Sequence, residues 1–128
     1  MEMHMKALLL AVGVFAAITT GAAEFRKPVT FPRGAGSTVI SGQVVRGDRD
    51  IYLLRVRSGQ FMTIHISALE KNAAFAIYEP KTAIAIPGTE EESDATEWSG
   101  TLSKSGEYQI AVGGTRGNAN YKLKISVK

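Results

Sequence analysis

The stretch "EYQIAVGGTRGNANYKLKISVK", residues 107–128, decides the fold of this chain. Before its glycine-rich loop, Tyr108, Ile110 and Val112 alternate with other residues. After the loop, apolar residues alternate with lysines from Tyr121 onward. A period of two places successive side chains on opposite faces of a strand. The stretch therefore predicts two half-buried strands of an antiparallel sheet, connected by the loop.

The same alternation recurs upstream of this stretch. In "QFMTIHISA", residues 60–68, the side chains of Met62, Ile64 and Ile66 share one face. Further strands are predicted at residues 37–45, 51–57, 73–79 and 97–102. Short turn motifs separate them, and no segment after residue 23 has a helical period. We expect an all-β fold, a small antiparallel β-sandwich of jelly-roll or immunoglobulin-like type with seven to nine strands.

The first 23 residues have the pattern of a cleaved signal peptide. Lys6 precedes an apolar run from Ala7 to Ile18, and small residues follow up to Ala23. A positive start, an apolar segment and a small-residue cleavage site define such a signal. The run is shorter than the roughly 20 residues of a membrane-spanning helix. We expect cleavage after Ala23, export, and a single domain at residues 24–128 that does not insert into a membrane.

Composition limits the possible functions of the chain. There is no cysteine, which excludes a disulfide framework and a thiolate metal site, so that a packed core must stabilise the fold. The formal charge is +3, and the basic residues are scattered along the chain. Neither a helix rich in Lys and Arg nor a basic stripe with interleaved aromatic residues is present. We therefore expect no nucleic-acid partner.

Residues with catalytic or metal-binding potential are few. His65 is the only histidine after residue 23, and it falls on the polar face of a predicted strand. The serines lack the G-x-S-x-G motif of a nucleophile elbow. The acidic segments 48–50 and 90–94 do not match a calcium-binding EF-hand loop. The sequence predicts neither an enzyme, nor a metal site, nor a cofactor.

The loops around residues 105–121 are the best candidates for a binding surface. Gly106 is expected to adopt a positive φ in the turn after Ser105, and the Tyr108 hydroxyl to bond a backbone group as in a tyrosine corner. Arg116 stands between glycines and is expected to be exposed, where its planar guanidinium can take a carboxylate in bidentate fashion. We also expect the Ser105–Gly106 turn and the Thr115–Arg116 loop to lie near one another.

The sequence "LSKSGEYQIAVGGTRGNANYKLKI", residues 102–125, resembles the periplasmic inhibitors of g-type (goose-type) lysozyme. The shared elements are Ser-Gly-x-Tyr at the start of a strand and Thr-Arg in the following loop. The upstream stretch "VTFPRGAGSTVISGQVVRGDRDIYLL" is also similar. Two features differ from the family. The hairpin at Gly47 lacks the aromatic residue that the family often has, and the loop after Arg116 is shorter and has no second arginine.

The resemblance implies a β-sandwich in the periplasm that binds g-type lysozyme and protects bacterial peptidoglycan. It implies that surface loops block the sugar cleft of the enzyme and that Arg116 meets acidic groups there. The expected contact residues are Arg116, Thr115, Ser105, Gly106, Asp48 and Arg49. Two alternatives stay open: a carbohydrate-binding or accessory module like the prepeptidase C-terminal domains, and an inhibitor of another lysozyme class, such as the invertebrate type.

Overall fold

The computed structural model describes residues 24–128, which form eight strands and one 3-10 turn. The strands are β1 (Glu24–Pro28), β2 (Ser37–Val44), β3 (Arg49–Val56), β4 (Phe61–Ala68), β5 (Ala73–Tyr78), β6 (Glu97–Thr101), β7 (Gly106–Gly114) and β8 (Ala119–Val127). The 3-10 turn covers Glu91–Ser93. The all-β prediction and the expected number of strands are confirmed, and β1 is a strand that the sequence did not predict. The predicted signal peptide lies outside the described residues.

The strands form two sheets of four. The first sheet has the order β1-β3-β7-β5 and the second the order β2-β8-β4-β6. Each strand therefore lies in the opposite sheet from the next strand along the chain. The turn at Gly47, which was expected to be a hairpin, instead connects β2 of the second sheet to β3 of the first. One pairing also departs from the antiparallel arrangement, because β1 runs parallel to β3 with Glu24 opposite Arg49.

The core lies between the two sheets and consists of the predicted inward-facing side chains. Met62 and Ile64 on β4 are fully buried, and so are Ile110 and Val112 on β7. These residues belong to one continuous apolar cluster that the facing strands share. Burial of each such side chain contributes about 1.5–3 kcal/mol relative to leaving it in water. Val127, predicted to face inward at the end of β8, is only half buried.

A buried group of polar side chains connects the two sheets. The Tyr121 hydroxyl on β8 donates a hydrogen bond of 2.5 Å to Oδ2 of Asp50 on β3. The Tyr52 hydroxyl lies 2.6 Å from the Tyr121 hydroxyl. Burial raises the pKa of Tyr121, and its hydrogen bonds with Asp50 and Tyr52 raise that pKa further. We refer to Asp50, Tyr52 and Tyr121 as the buried triad.

A glycine on the neighbouring strand makes room for the buried triad. A Cβ atom at Gly42 would lie 2.5 Å from both Cζ and the hydroxyl oxygen of Tyr121. Real Cβ atoms do not approach other atoms so closely, so any larger residue would displace the tyrosine ring. Gly42 is therefore required for the packing of the Tyr121 ring.

Candidate partner-binding site

The predicted contact residues lie at opposite ends of the sandwich. Strand β7 separates the Ser105–Gly106 turn from the Thr115–Arg116 loop, and it contains nine residues. At about 3.4 Å per residue, its two ends are about 27 Å apart. The expectation that the turn and the loop lie near one another is therefore wrong. The turn precedes β7 and the loop follows it, so the two necessarily lie at opposite ends of this strand.

Three connections meet at the end that carries Arg116, and we call this end the tip. They are residues 45–48, 69–72 and 115–118. The strand registers bring them together, because Val44 pairs with Ala119 and Ala68 pairs with Tyr121. The tip thus contains four of the six predicted residues, namely Asp48, Arg49, Thr115 and Arg116, at the connections or directly beside them.

Two asparagines tie the three connections of the tip to one another. Asn72 is only 3% exposed, and its Nδ2 donates hydrogen bonds to the carbonyls of Asn118 at 2.8 Å and Arg116 at 3.5 Å. The Asn72 carbonyl accepts a bond of 2.9 Å from the Thr115 amide. The Asn118 Oδ1 accepts a bond of 2.6 Å from the Arg46 amide. Side chains and backbone together therefore hold the tip in one arrangement.

Arg116 is exposed, as the sequence predicted, and it is anchored at one point. Its Nη2 donates a hydrogen bond of 2.5 Å to the backbone carbonyl of Glu70 in the 69–72 connection. A guanidinium has five N–H donors in a planar fork, so this one bond leaves donors for a partner. Thr115 beside it is also exposed. The arrangement presents a cation from a well-supported backbone, which suits recognition of a carboxylate.

Arg49 has a different environment, in which it contacts two carboxylates of the protein itself. Its Nη2 lies 2.8 Å from Oε2 of Glu24, and its Nη1 donates to Oε2 of Glu91. The Tyr78 hydroxyl donates to the same Glu91 oxygen at 3.1 Å. The hydrogen bond from Arg49 lowers the pKa of Glu24, and its charge lowers that pKa further. These contacts join β1 and the 3-10 turn to β3, which is a structural role for Arg49.

A shallow groove of about 380 Å³ runs beside the tip on the outer face of the first sheet. Its lining includes Asp48, Arg49 and Thr115, so the fold does bring these three predicted residues together. Small residues on β5 and β7 also line it, including Ala74, Ala76, Ala111 and Gly113. Because these side chains are short, the groove is open to side chains of a partner that contacts the tip.

The remaining two predicted residues stabilise the opposite end of the sandwich, which we call the base. The Ser105 Oγ accepts a hydrogen bond of 2.8 Å from the Ser58 amide. Gly106 has φ +138°, which confirms the predicted positive φ, and a Cβ there would lie 2.8 Å from Cβ of Pro80. The nearby Tyr108 hydroxyl donates to the Lys104 carbonyl at 2.9 Å, as expected for a tyrosine corner. All three residues have clear local structural functions.

The structure also shows where the residues with catalytic or metal-binding potential lie. His65 is exposed on β4, as predicted, with Lys124 and Glu97 opposite it on the two neighbouring strands. Within residues 24–128, no group of three or more histidines and carboxylates is placed to hold a metal ion. No helix within the same residues is long and apolar enough to cross a membrane.

Comparison with known proteins links this fold to a group of inhibitors. No protein-family model and no curated relative matches the chain. The crystal structure of Aeromonas hydrophila PliG, a periplasmic inhibitor of g-type lysozyme, matches 84% of this chain and all of its own, with a TM-score of 0.70 and 29% identity. The chain resembles the PliG inhibitors. Salmonella Typhimurium PliG shares the fold, with a TM-score of 0.65 and 23% identity over 81% of this chain and 98% of its own.

The same fold also occurs outside the inhibitors. The pre-peptidase C-terminal domain of a collagenase from Bacillus anthracis matches 87% of this chain and 100% of its own. Its TM-score is 0.55 and its identity 19%, both lower than for the two PliG structures. At this identity the likeness concerns the fold alone. A sandwich of this type thus occurs both in inhibitors of lysozyme and in a domain of a collagenase.

Proposed function

We propose that this protein is an exported, periplasmic inhibitor of g-type lysozyme that protects bacterial peptidoglycan. The observation that carries the proposal is the exposed, anchored Arg116 on a fold that matches the whole length of Aeromonas hydrophila PliG. In this proposal the protein binds stoichiometrically and without covalent chemistry. It needs no cofactor, because binding alone keeps the substrate out of the cleft.

The guanidinium of Arg116 suits the cleft of an enzyme that cleaves glycosidic bonds. The connections of the tip contain three cations, Arg46, Lys71 and Arg116, and two carboxylates, Asp48 and Glu70, so the suitability comes from the exposed Arg116 and not from the net charge. Glycoside hydrolases use a pair of carboxyl groups on either side of the scissile bond. A guanidinium that reaches those carboxylates would form charge-assisted hydrogen bonds, which are strong where water is excluded. We therefore assign the cleft contact to the tip, with Arg116 at its centre.

The other predicted residues take different places in this proposal. Thr115 supports the loop of Arg116, and Asp48 borders the groove beside it. Arg49 is available to a partner only if it shares or exchanges its present carboxylates. Ser105 and Gly106, about 27 Å from the tip, are candidates for a separate contact rather than for the same cleft.

The direct test compares Arg116 with another exposed arginine. The purified protein is mixed with a g-type lysozyme, lysis of bacterial cell walls is followed, and the dissociation constant is measured. Arg116→Ala should weaken binding by about 2–5 kcal/mol, because a buried carboxylate of the enzyme loses its partner. Arg57→Ala, at an exposed position of the base, is the matched control and should bind as the unmodified protein does. Equal affinities of the two variants would remove Arg116 from the interface.

The same assay separates the alternative functions. A panel of chicken-type, goose-type and invertebrate-type lysozymes identifies the class that the protein inhibits. Binding to peptidoglycan fragments in the absence of any lysozyme would instead support a carbohydrate-binding or accessory module. If micromolar protein slows no lysozyme of the goose type, the proposed function is wrong.

A further inference from the structure

Leu69 is an unusual residue at the tip because it is completely exposed. Its relative accessibility is 100%, whereas the other large exposed apolar side chains of residues 24–128 range from 43% to 60%. A single exposed leucine is common on protein surfaces and has no meaning by itself. Leu69 comes directly after β4, at the start of the 69–72 connection. This position gives it an ordered backbone and makes Arg116 its neighbour.

The backbone around Leu69 is held by a turn. The Lys71 amide donates a hydrogen bond of 3.0 Å to the carbonyl of Ala68, which closes the turn around Leu69 and Glu70. Lys71 adopts the left-handed conformation with φ 53°. The next residue, Asn72, is buried and bonded to the 115–118 connection. The loop that carries Leu69 is therefore ordered before any partner arrives, which reduces the entropy lost on binding.

The turn also connects Leu69 to Arg116. The guanidinium of Arg116 donates its 2.5 Å hydrogen bond to the carbonyl of Glu70, the residue that follows Leu69. The apolar side chain and the cation therefore project from adjoining parts of one surface. Interfaces obtain most of their affinity from such central residues, and neighbouring apolar contacts keep water away from the charged ones.

We propose that Leu69 and Arg116 form one composite contact, in which Leu69 packs against an apolar wall of the lysozyme cleft. This inference rests on the proposed function and names the second part of its site. A cleft that binds sugar rings offers apolar and aromatic surface beside its carboxylates. Leu69 covers that surface and excludes water from the ion pair that Arg116 makes. Through Leu69, the 69–72 connection contributes to the selectivity of the inhibitor for its lysozyme.

The experiment measures lysozyme binding by variants at two exposed apolar positions. Leu69→Ser should weaken binding by about 10- to 100-fold, the loss expected for one buried leucine side chain. Its denaturation midpoint should not change, because the side chain is completely exposed. Leu69→Met should stay within a few-fold of the unmodified protein. Ile84→Ser is the matched control, since Ile84 is 60% exposed and bonds to the segment after β5 at the base.

The possible outcomes distinguish this inference from the proposed function. If the unmodified protein inhibits lysozyme and Leu69→Ser binds equally well, the composite contact is overturned while the inhibitor function stands. If Leu69→Ser and Ile84→Ser weaken binding equally, the effect is not specific to the tip, and the inference is also wrong. If the unmodified protein binds no g-type lysozyme, the proposed function and this inference fail together. A further check is the double variant with Arg116→Ala, whose effect should be less than the sum of the two single effects.

Discussion

The substitution Tyr121→Phe tests whether the buried triad is a main source of stability. It removes one oxygen atom and leaves the aromatic ring in the core, so no large cavity forms. Asp50, which is 9% exposed, then loses the donor that lies 2.5 Å from its Oδ2. Tyr52 loses the hydroxyl 2.6 Å away. We therefore expect a large loss of stability from a small chemical change.

The magnitude follows from the two hydrogen bonds. A hydrogen bond to a charged group contributes about 1.5–3 kcal/mol, and one between neutral groups about 0.5–1.5 kcal/mol. Tyr121→Phe should therefore lower the free energy of unfolding by about 2–4.5 kcal/mol. Tyr108→Phe is the matched control, because Tyr108 is equally buried and makes one bond to a neutral carbonyl. That substitution should lower the free energy by only about 0.5–1.5 kcal/mol.

The assay is urea denaturation at pH 7, followed by circular dichroism and by the fluorescence of Trp98, the single tryptophan of the chain. Both tyrosines are protonated at this pH, because burial raises each pKa above its ordinary value of 10.0. The comparison requires that both variants have the same m value, the slope of the unfolding free energy against urea concentration. Equal costs for Tyr121→Phe and Tyr108→Phe would refute the special role of the triad.

Three further predictions concern the base, strand β1 and the tip. Gly106→Ala should destabilise the protein by about 1–3 kcal/mol in urea denaturation, because its φ is positive and its Cβ would meet Pro80. Arg49 lowers the pKa of Glu24, so the contribution of this ion pair is complete above the ordinary pKa of 4.5 and is lost as the pH falls through the lowered value. The protection factors of the β1 amides, which correct for the pH dependence of intrinsic exchange, should fall there, and Arg49→Gln should weaken that fall. Asn72→Ala should cost about 1–3 kcal/mol and speed amide exchange in the connections of the tip.

The strands with alternating sequences were predictable because their two faces differ in burial. On β4 the apolar residues from Met62 to Ile66 point into the core and the residues between them are exposed. The same holds for β8 from Tyr121 to Ile125. A period of two directly records this difference. Strand β5 is instead buried on both faces and has a continuous apolar run. The bounds of all seven predicted strands agree with the structure to within two residues.

Strand β1 was not predictable from the same signal. All five of its residues, Glu24–Pro28, are exposed, so no face of it is selected for apolar side chains. It is held by its parallel ladder with β3 and by the ion pair of Glu24 with Arg49. Both interactions depend on residues distant in sequence, which local pattern analysis does not detect.

The candidate site was predictable in its chemistry and not in its layout. The glycines around Arg116 correctly indicated exposure. The arrangement of the tip depends instead on contacts between connections that are far apart in the chain. Asn72 looked like an ordinary turn residue, yet its side chain binds the 115–118 connection.

The alternation of strands between the sheets explains how the tip is supported. Because β2 and β3 lie in different sheets, the 45–48 connection crosses the end of the core, and the 69–72 and 115–118 connections do the same. Stacked sheets are about 10 Å apart, so these connections close the sandwich above the buried triad. Asp50 and Tyr121 lie just inside this closure, at the ends of β3 and β8 that lead to the tip. A substitution in the triad should therefore loosen the surface that presents Arg116, and Tyr121→Phe should weaken lysozyme binding more than Tyr108→Phe does.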